Sequence, residues 1–329
     1  MELKLANHSS YPRIGDSAEG QLLRRTIAQW EKGEKTDAEL RAAEDRMTEL
    51  AIEVQAAADL DVVTDGQIRW YDSVSHLAGK LKGVRINGLL RFFDTNTYFR
   101  QPVVTGRLER GAPLTVDDYR FARQKTARPV KPVLTGPYTL ARLSVIQAGA
   151  GRTFESMLDG YTQALAEEVA ALAAAGAAII QIEEPYLLKV PADIAIFSQV
   201  ITTLARHKGS AKLALALYFG DVAPLYDKLQ TFPVDELVLD FTYSPRLVET
   251  IASSGSAKAL GVGVMDGRNT RLENPETIAR QIEEILKGMR SAEATLMPSC
   301  GLEYLPRDRA QLKLKHLSTL RNTLNGKAA

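Results

Sequence analysis

Cysteine is all but missing: Cys300 is the only one in 329 residues. A single thiol closes no intrachain disulfide, and a reducing, cytoplasmic setting is the simplest expectation. Charge of one sign is missing as well. The net charge is +1, so there is no electrostatic reason to expect nucleic acid or an anionic membrane as a partner. No run of about 18 apolar residues occurs, and no transmembrane helix is expected. Residues Met1 to Gly15 lack the basic region and apolar run of a signal peptide, and none is expected there. No internal repeat is evident. No Gly-rich nucleotide loop follows the first strand candidate, which argues against an open, doubly wound dinucleotide fold.

What is present is alternation. Hydrophobic residues make up 45% and charged residues 25%, enough for a core of ordinary size. Eight short apolar runs end in polar residues: Leu3–Asn7, Leu60–Asp65, Pro132–Thr135, Ala177–Ile182, Leu213–Tyr218, Leu237–Asp240, Leu260–Val264 and Ala294–Met297. Helical periodicity fills the gaps at Ala38–Leu60, Phe154–Ala175, Ile194–Lys208, Val222–Gln230, Pro245–Ser254, Pro275–Met289 and Arg307–Leu324. Gly176 is a plausible C′ glycine, and Asn274-Pro275 reads as an N-cap with a first-turn proline. Eight strands alternating with helices predict parallel pairing with right-handed crossovers. The expected fold is a TIM (β/α)₈ barrel, one α/β domain over residues 1–329. Such barrels run from about 200 to over 400 residues. The long gap of about 67–131 is expected to hold a hairpin and one or two helices, as either a lid or a rim decoration.

In a barrel the strand ends converge on one pocket. The residues there are His8, Ser9, Ser10, Asp65, Gln67, Thr135, Tyr138, Glu183, Glu184, Tyr218, Asp240, Asp266, Arg268, Ser299 and Cys300. Glu183-Glu184-Pro185 stands out, because two carboxylates after a buried strand are costly unless paired or functional. Asp65-Gly66 reads equally as a turn. Arg268 suits a carboxylate or phosphate, or a structural pair with Asp266 or Glu273. Cys300 is either a small core residue or a functional thiol placed by the eighth strand. His76, His207 and His316 fall on presumed helices or loops and read as ordinary.

At these residues the chain resembles the catalytic half of cobalamin-independent methionine synthase, closest to the short single-barrel "core" forms. The wider group includes uroporphyrinogen decarboxylase. The similarity spans nearly the whole chain. It is carried by Ser10-Tyr11-Pro12-Arg13, Thr64-Asp65-Gly66-Gln67-Ile68-Arg69, Leu134-Thr135-Gly136-Pro137-Tyr138-Thr139, Gln181-Ile182-Glu183-Glu184-Pro185, Met265-Asp266-Gly267-Arg268-Asn269-Thr270 and Pro298-Ser299-Cys300-Gly301-Leu302. The resemblance implies methyl transfer to the thiol of homocysteine, held as thiolate on zinc. It further implies a methylcorrinoid (methylcobalamin) or a corrinoid protein as donor, rather than a methylated folate.

Carried over residue by residue, the family's last zinc cysteine falls on Cys300 and its zinc glutamate on Asp240. Its His-x-Cys pair falls on Ala216 and Tyr218, neither a substitute, and no His or Cys lies between Gly209 and Asp235. His8 could supply the missing ligand, since strand one neighbours strand eight. The glutamate that grips the substrate's amino group falls on Gln67, the aspartate beside the strand-four Glu-Pro on Glu183 and the catalytic histidine of the folate enzymes on Arg268. Ser10 matches a contact to the amino acid's carboxylate. The leading expectation is therefore a methionine-synthase-like S-methyltransferase. Its metal would sit on Cys300, Asp240 and His8. Its substrate would lie on Ser10, Gln67, Glu183 and Glu184, with Arg268, Asp266 and Tyr218 as catalytic side chains. Two alternatives stay open: a metal-free lyase or decarboxylase using Asp65, Glu184 or Tyr218 for proton transfer, and a non-catalytic ligand-binding paralogue.

Overall fold

Short apolar runs bounded by polar residues become parallel strands, as their length and period dictate. The computed structural model describes residues 2–327. Its strands are β1 (Glu2–Leu5), β2 (Leu81–Arg91), β3 (Tyr98–Arg110), β4 (Val133–Thr135), β5 (Val145–Ile146), β6 (Ile179–Glu183), β7 (Lys212–Leu217), β8 (Glu236–Asp240), β9 (Ala259–Met265) and β10 (Glu293–Pro298). Seven hydrogen-bond in the order β1-β10-β9-β8-β7-β6-β4. Every pairing in that order is parallel. The ring closes through residues 62–66, with parallel bridges Ala6–Val62, Ser10–Gly66 and Val63–Val130. This is the TIM-barrel arrangement.

The second predicted strand, Leu60–Asp65, differs from expectation in forming only these isolated bridges. The reason is a side chain. Gln55, buried on the helix Asp37–Ala57, accepts from Thr64 N at 2.8 Å and donates to Thr64 O at 2.9 Å. It takes the place of the ladder for that residue. The other predicted strands reappear within one or two residues of their expected ends.

Side-chain alternation sorts β7 into two sets. Leu213, Leu215 and Leu217 join the large core beneath the helices. Ala214 and Ala216 join Ala6, Val238 and Met297 in a separate small cluster on the opposite faces of the strands. The expected caps form: Gly176 follows the helix Phe154–Ala174 with φ +91°, and Asn274 accepts from Thr277 N before the helix Pro275–Lys287. The helix Leu22–Glu31 was not expected from periodicity. Among the described residues no helix is long and apolar enough to cross a membrane.

The 67–131 segment folds as an antiparallel β2–β3 hairpin joined by β5, with helices Ser75–Ala78 and Val116–Gln124. The hairpin is longer than the sequence suggested. Its turn reaches the barrel mouth, where the Phe92 and Phe93 rings meet Phe219 at 6.4 and 5.6 Å between centroids.

Candidate active site

The centre of the mouth is a buried ion network. His8 follows β1, and its Nδ1 lies 3.2 Å from Glu183 Oε1. Nδ1 also lies 3.0 Å from Ser9 Oγ, which can accept or donate. The ionised carboxylate only accepts, so the tautomer that suits both neighbours has the hydrogen on Nδ1 and leaves Nε2 a free lone pair. Nε2 is buried and has no hydrogen-bond partner among the described residues. Burial lowers the pKa of the imidazole, against the opposing pull of Glu183. Burial alone would raise the Glu183 carboxyl, but hydrogen bonds from His8, Ser9 and Tyr218 outweigh it and leave the pKa below the ordinary value. The pair is thus a neutral imidazole beside a carboxylate. Tyr218 donates its hydroxyl to Glu183 Oε2 at 2.9 Å and packs edge-on against His8 at 5.3 Å. Gln181 donates to both Glu183 Oε1 and His8 O, and the buried Lys131 ammonium donates to its amide oxygen.

Several expected site residues are committed elsewhere. Glu184 accepts the backbone N–H groups of Tyr138 at 3.0 Å and Thr139 at 2.7 Å, opening the helix Pro137–Leu143. A Cβ on Gly136 would collide with its carboxyl, which explains the glycine. Both Glu184 oxygens, expected to face substrate, thus accept from the helix. Asp65 accepts from Gln67 N at 3.0 Å, which is the turn reading of Asp65-Gly66. Asp240 accepts from Thr242 N, Thr242 Oγ1 and Tyr243 N on one oxygen and from Phe219 N on the other. Cys300 is fully buried, points its thiol at Gly301 O at 3.4 Å, and is raised well above the usual thiol pKa by burial. His76 stacks on Trp70, while His207 and His316 meet backbone carbonyls on the outer helices.

The outer mouth is aromatic. The Arg268 guanidinium lies over Tyr243 at 4.4 Å and Phe219 at 5.0 Å. It is not drawn to either carboxylate considered for it: Asp266 accepts the Arg268 backbone N–H at 2.9 Å, and Glu273 pairs with Lys313 at 2.6 Å. A cavity of about 520 Å³ opens here, lined by Thr95 and Asn96 of the hairpin turn together with Asp266, Arg268, Glu303 and Tyr304.

Residues 10–322 match the family model described as cobalamin-independent synthase, catalytic domain. The chain belongs to this family. A methionine synthase of Saccharolobus solfataricus is 29% identical over 305 residues, which cover 92% of this chain and 90% of the relative. One of Saccharolobus islandicus is 30% identical over the same shares. Among solved structures, a B12-independent methionine synthase from Shewanella sp. W3-18-1 superposes with a TM-score of 0.80 at 21% identity, covering 100% of this chain and 99% of that one. A putative vitamin-B12 independent methionine synthase from Listeria monocytogenes gives 0.76 at 16%, covering 98% and 99%. This cobalamin-independent synthase is accordingly a methyltransferase enzyme of the methionine-synthase type.

Two expectations for this family member need correction. The corrinoid donor is contradicted by membership of a cobalamin-independent family, and nothing supports a corrinoid protein partner. The expected metal set of Cys300, Asp240 and His8 is not assembled: among the described residues no group of three or more His, Cys, Asp or Glu side chains could hold a metal ion. The physical reason is visible in each donor. Asp240 is spent on amides and a hydroxyl of neighbouring loops and the Cys300 thiol faces a carbonyl, so of the three only His8 keeps a free donor atom, Nε2. The residues present do not fit zinc. Sequence reasoning also missed Glu303, Tyr304, Phe219 and Tyr243. Glu303 and Tyr304 continue the loop after the eighth predicted strand, a position that could have flagged them.

Proposed function

We propose that this cobalamin-independent synthase transfers a methyl group from a methylated folate to the thiol sulfur of homocysteine, with His8 in place of a metal as the group that activates the thiol. The observation that carries the reading is the His8–Glu183 pair. A free homocysteine thiol is only slightly ionised near neutral pH. A neutral imidazole with its Nδ1–H bound to a carboxylate and its Nε2 free is a general base with a fixed tautomer. In this scheme the S–H proton passes to Nε2 and Glu183 stabilises the imidazolium. The sulfur electron pair attacks the methyl carbon as its bond to the donor nitrogen breaks. That nitrogen keeps the bonding pair and is protonated from solvent, while the His8 imidazolium returns its proton to solvent, so that the thiol proton is replaced by the methyl group and His8 is again neutral. Arg268, Phe219 and Tyr243 offer flat surfaces against which a planar donor ring can stack. The family match and the relatives named methionine synthase support the substrate class.

The test is to incubate the purified chain with homocysteine and methyltetrahydrofolate carrying a deuterated methyl group, and to look for labelled methionine by mass spectrometry. Label should appear, and pretreatment with a strong chelator should leave the rate unchanged. Activity abolished by chelation and restored by zinc would reject the metal-independent role of His8. No labelled methionine under any metal condition would reject the reaction itself.

A further inference from the structure

The family resemblance assigns the substrate's amino group to position 67 and places residue 183 at the same amino-acid end. In this chain neither is a free anion. Residue 67 is an amide, Gln67. Glu183 is buried, and its oxygens are already taken by His8 Nδ1 at 3.2 Å, Gln181 Nε2 at 3.2 Å and Tyr218 OH at 2.9 Å. Two of these fall on Oε1 and one on Oε2, which leaves an incoming ammonium at most one lone pair there.

A different carboxylate is open. Glu303, on the loop after β10, has an Oε2 that is shielded from water and has no hydrogen-bond partner among the described residues. Burial raises its carboxyl to about 7, so a bound cation would be what holds it ionised. Ser10 Oγ is also without a partner, on a residue that is 5% exposed. The two atoms crowd the same spot, since a Cβ on Gly301 would collide with both Ser10 Oγ and Glu303 Oε2. Gln67 Nε2 is a third unpartnered atom, on a residue that is 6% exposed. Glu303 also lines the cavity at the mouth.

Buried polar atoms without partners cost stability unless something fills the site. What would satisfy the Glu303 and Ser10 atoms together is specific. Glu303 can accept from a cation, while the Ser10 O–H beside it can donate to an anion. A ligand that carries both charges on groups bonded to one carbon is an α-amino acid. We infer that Glu303 is the carboxylate that binds the ammonium group of the substrate, with Ser10 on its carboxylate. This assignment rests on the homocysteine reading above and names the residue that selects an amino acid over a simple thiol.

The experiment is calorimetric binding of the product, methionine, which needs no donor and no turnover. Wild-type protein and Glu303→Gln are compared, each also with 4-(methylsulfanyl)butanoate, which lacks the amino group. Loss of one charge-assisted hydrogen bond should weaken methionine binding roughly ten- to hundredfold in the variant. Affinity for the desamino acid should not change. A Glu303→Gln protein that binds methionine like the wild type overturns the assignment, as does one that loses both ligands equally. Wild-type protein that binds neither methionine nor homocysteine sinks the substrate reading and this assignment with it. If Glu303→Gln does not keep the wild-type circular dichroism spectrum, Glu303→Ala is read by the same difference between the two ligands.

Discussion

At the scale of single residues, the decisive fact is which lone pairs remain free. Glu184, Asp240 and Cys300 are conspicuous in the sequence, yet backbone groups or burial have already spent them. His8 Nε2 is not spent. Its role in the proposed chemistry makes a sharp prediction. Replacing it, His8→Ala, should lower kcat by roughly 10²–10⁴, the usual worth of a positioned base, while methionine affinity stays near the wild-type value. The pH profile carries a sign as well. Burial lowers the imidazole pKa from its ordinary 6.5, so the base form survives into mild acid. The acidic limb of kcat/KM should therefore lie below pH 6.5 and vanish in the variant. A limb above that value, or one that persists in His8→Ala, counts against His8 as the base.

At the scale of elements, the barrel is closed at residues 62–66 by a side chain rather than by a full strand. Gln55 clips both backbone groups of Thr64, and Asn7 and Ser9 meet the Thr64 hydroxyl from β1's side. This joint positions Ser10 against Gly66 and so fixes one wall of the site. Gln55→Ala leaves a buried N–H and C=O without partners, at a cost of about 1–3 kcal/mol. A urea titration should show a lower midpoint with an unchanged slope. An unchanged midpoint would mean that water or a rearranged strand takes over the pairing.

At the scale of the whole molecule, a net charge of +1 conceals a concentration of carboxyls inside the barrel and at its mouth. Burial pushes the pKa of Glu184 up to about 7 and that of Asp240 to about 6. A carboxyl raised on folding contributes stability that is full below its unfolded pKa, about 4.3 for Glu, and is lost as pH rises through the folded value. Glu184→Gln removes that dependence without adding a charge. The Tm of the wild type minus that of the variant should therefore shrink from pH 5 to pH 8. A difference that stays flat would show that Glu184 remains ionised throughout, held by the Tyr138 and Thr139 amides.

The alternation of apolar runs and helical periods was enough to read the barrel. Strand identity here follows from local pattern, and eight such units, all but one pair joined in sequence by a single helical stretch, leave few ways to pack. The polar strand ends were legible for the same reason, since a parallel barrel must bring them together. Which of those side chains is available for chemistry was not legible, because availability is a property of neighbours distant in sequence. Nothing near Glu184 foretells the amides of Tyr138 and Thr139, and nothing near Glu303 foretells Ser10, almost three hundred residues away. Composition and spacing determined the scaffold. The tertiary structure alone decided that His8 keeps a free nitrogen and Glu303 a free oxygen, because only packing decides which polar atoms find partners.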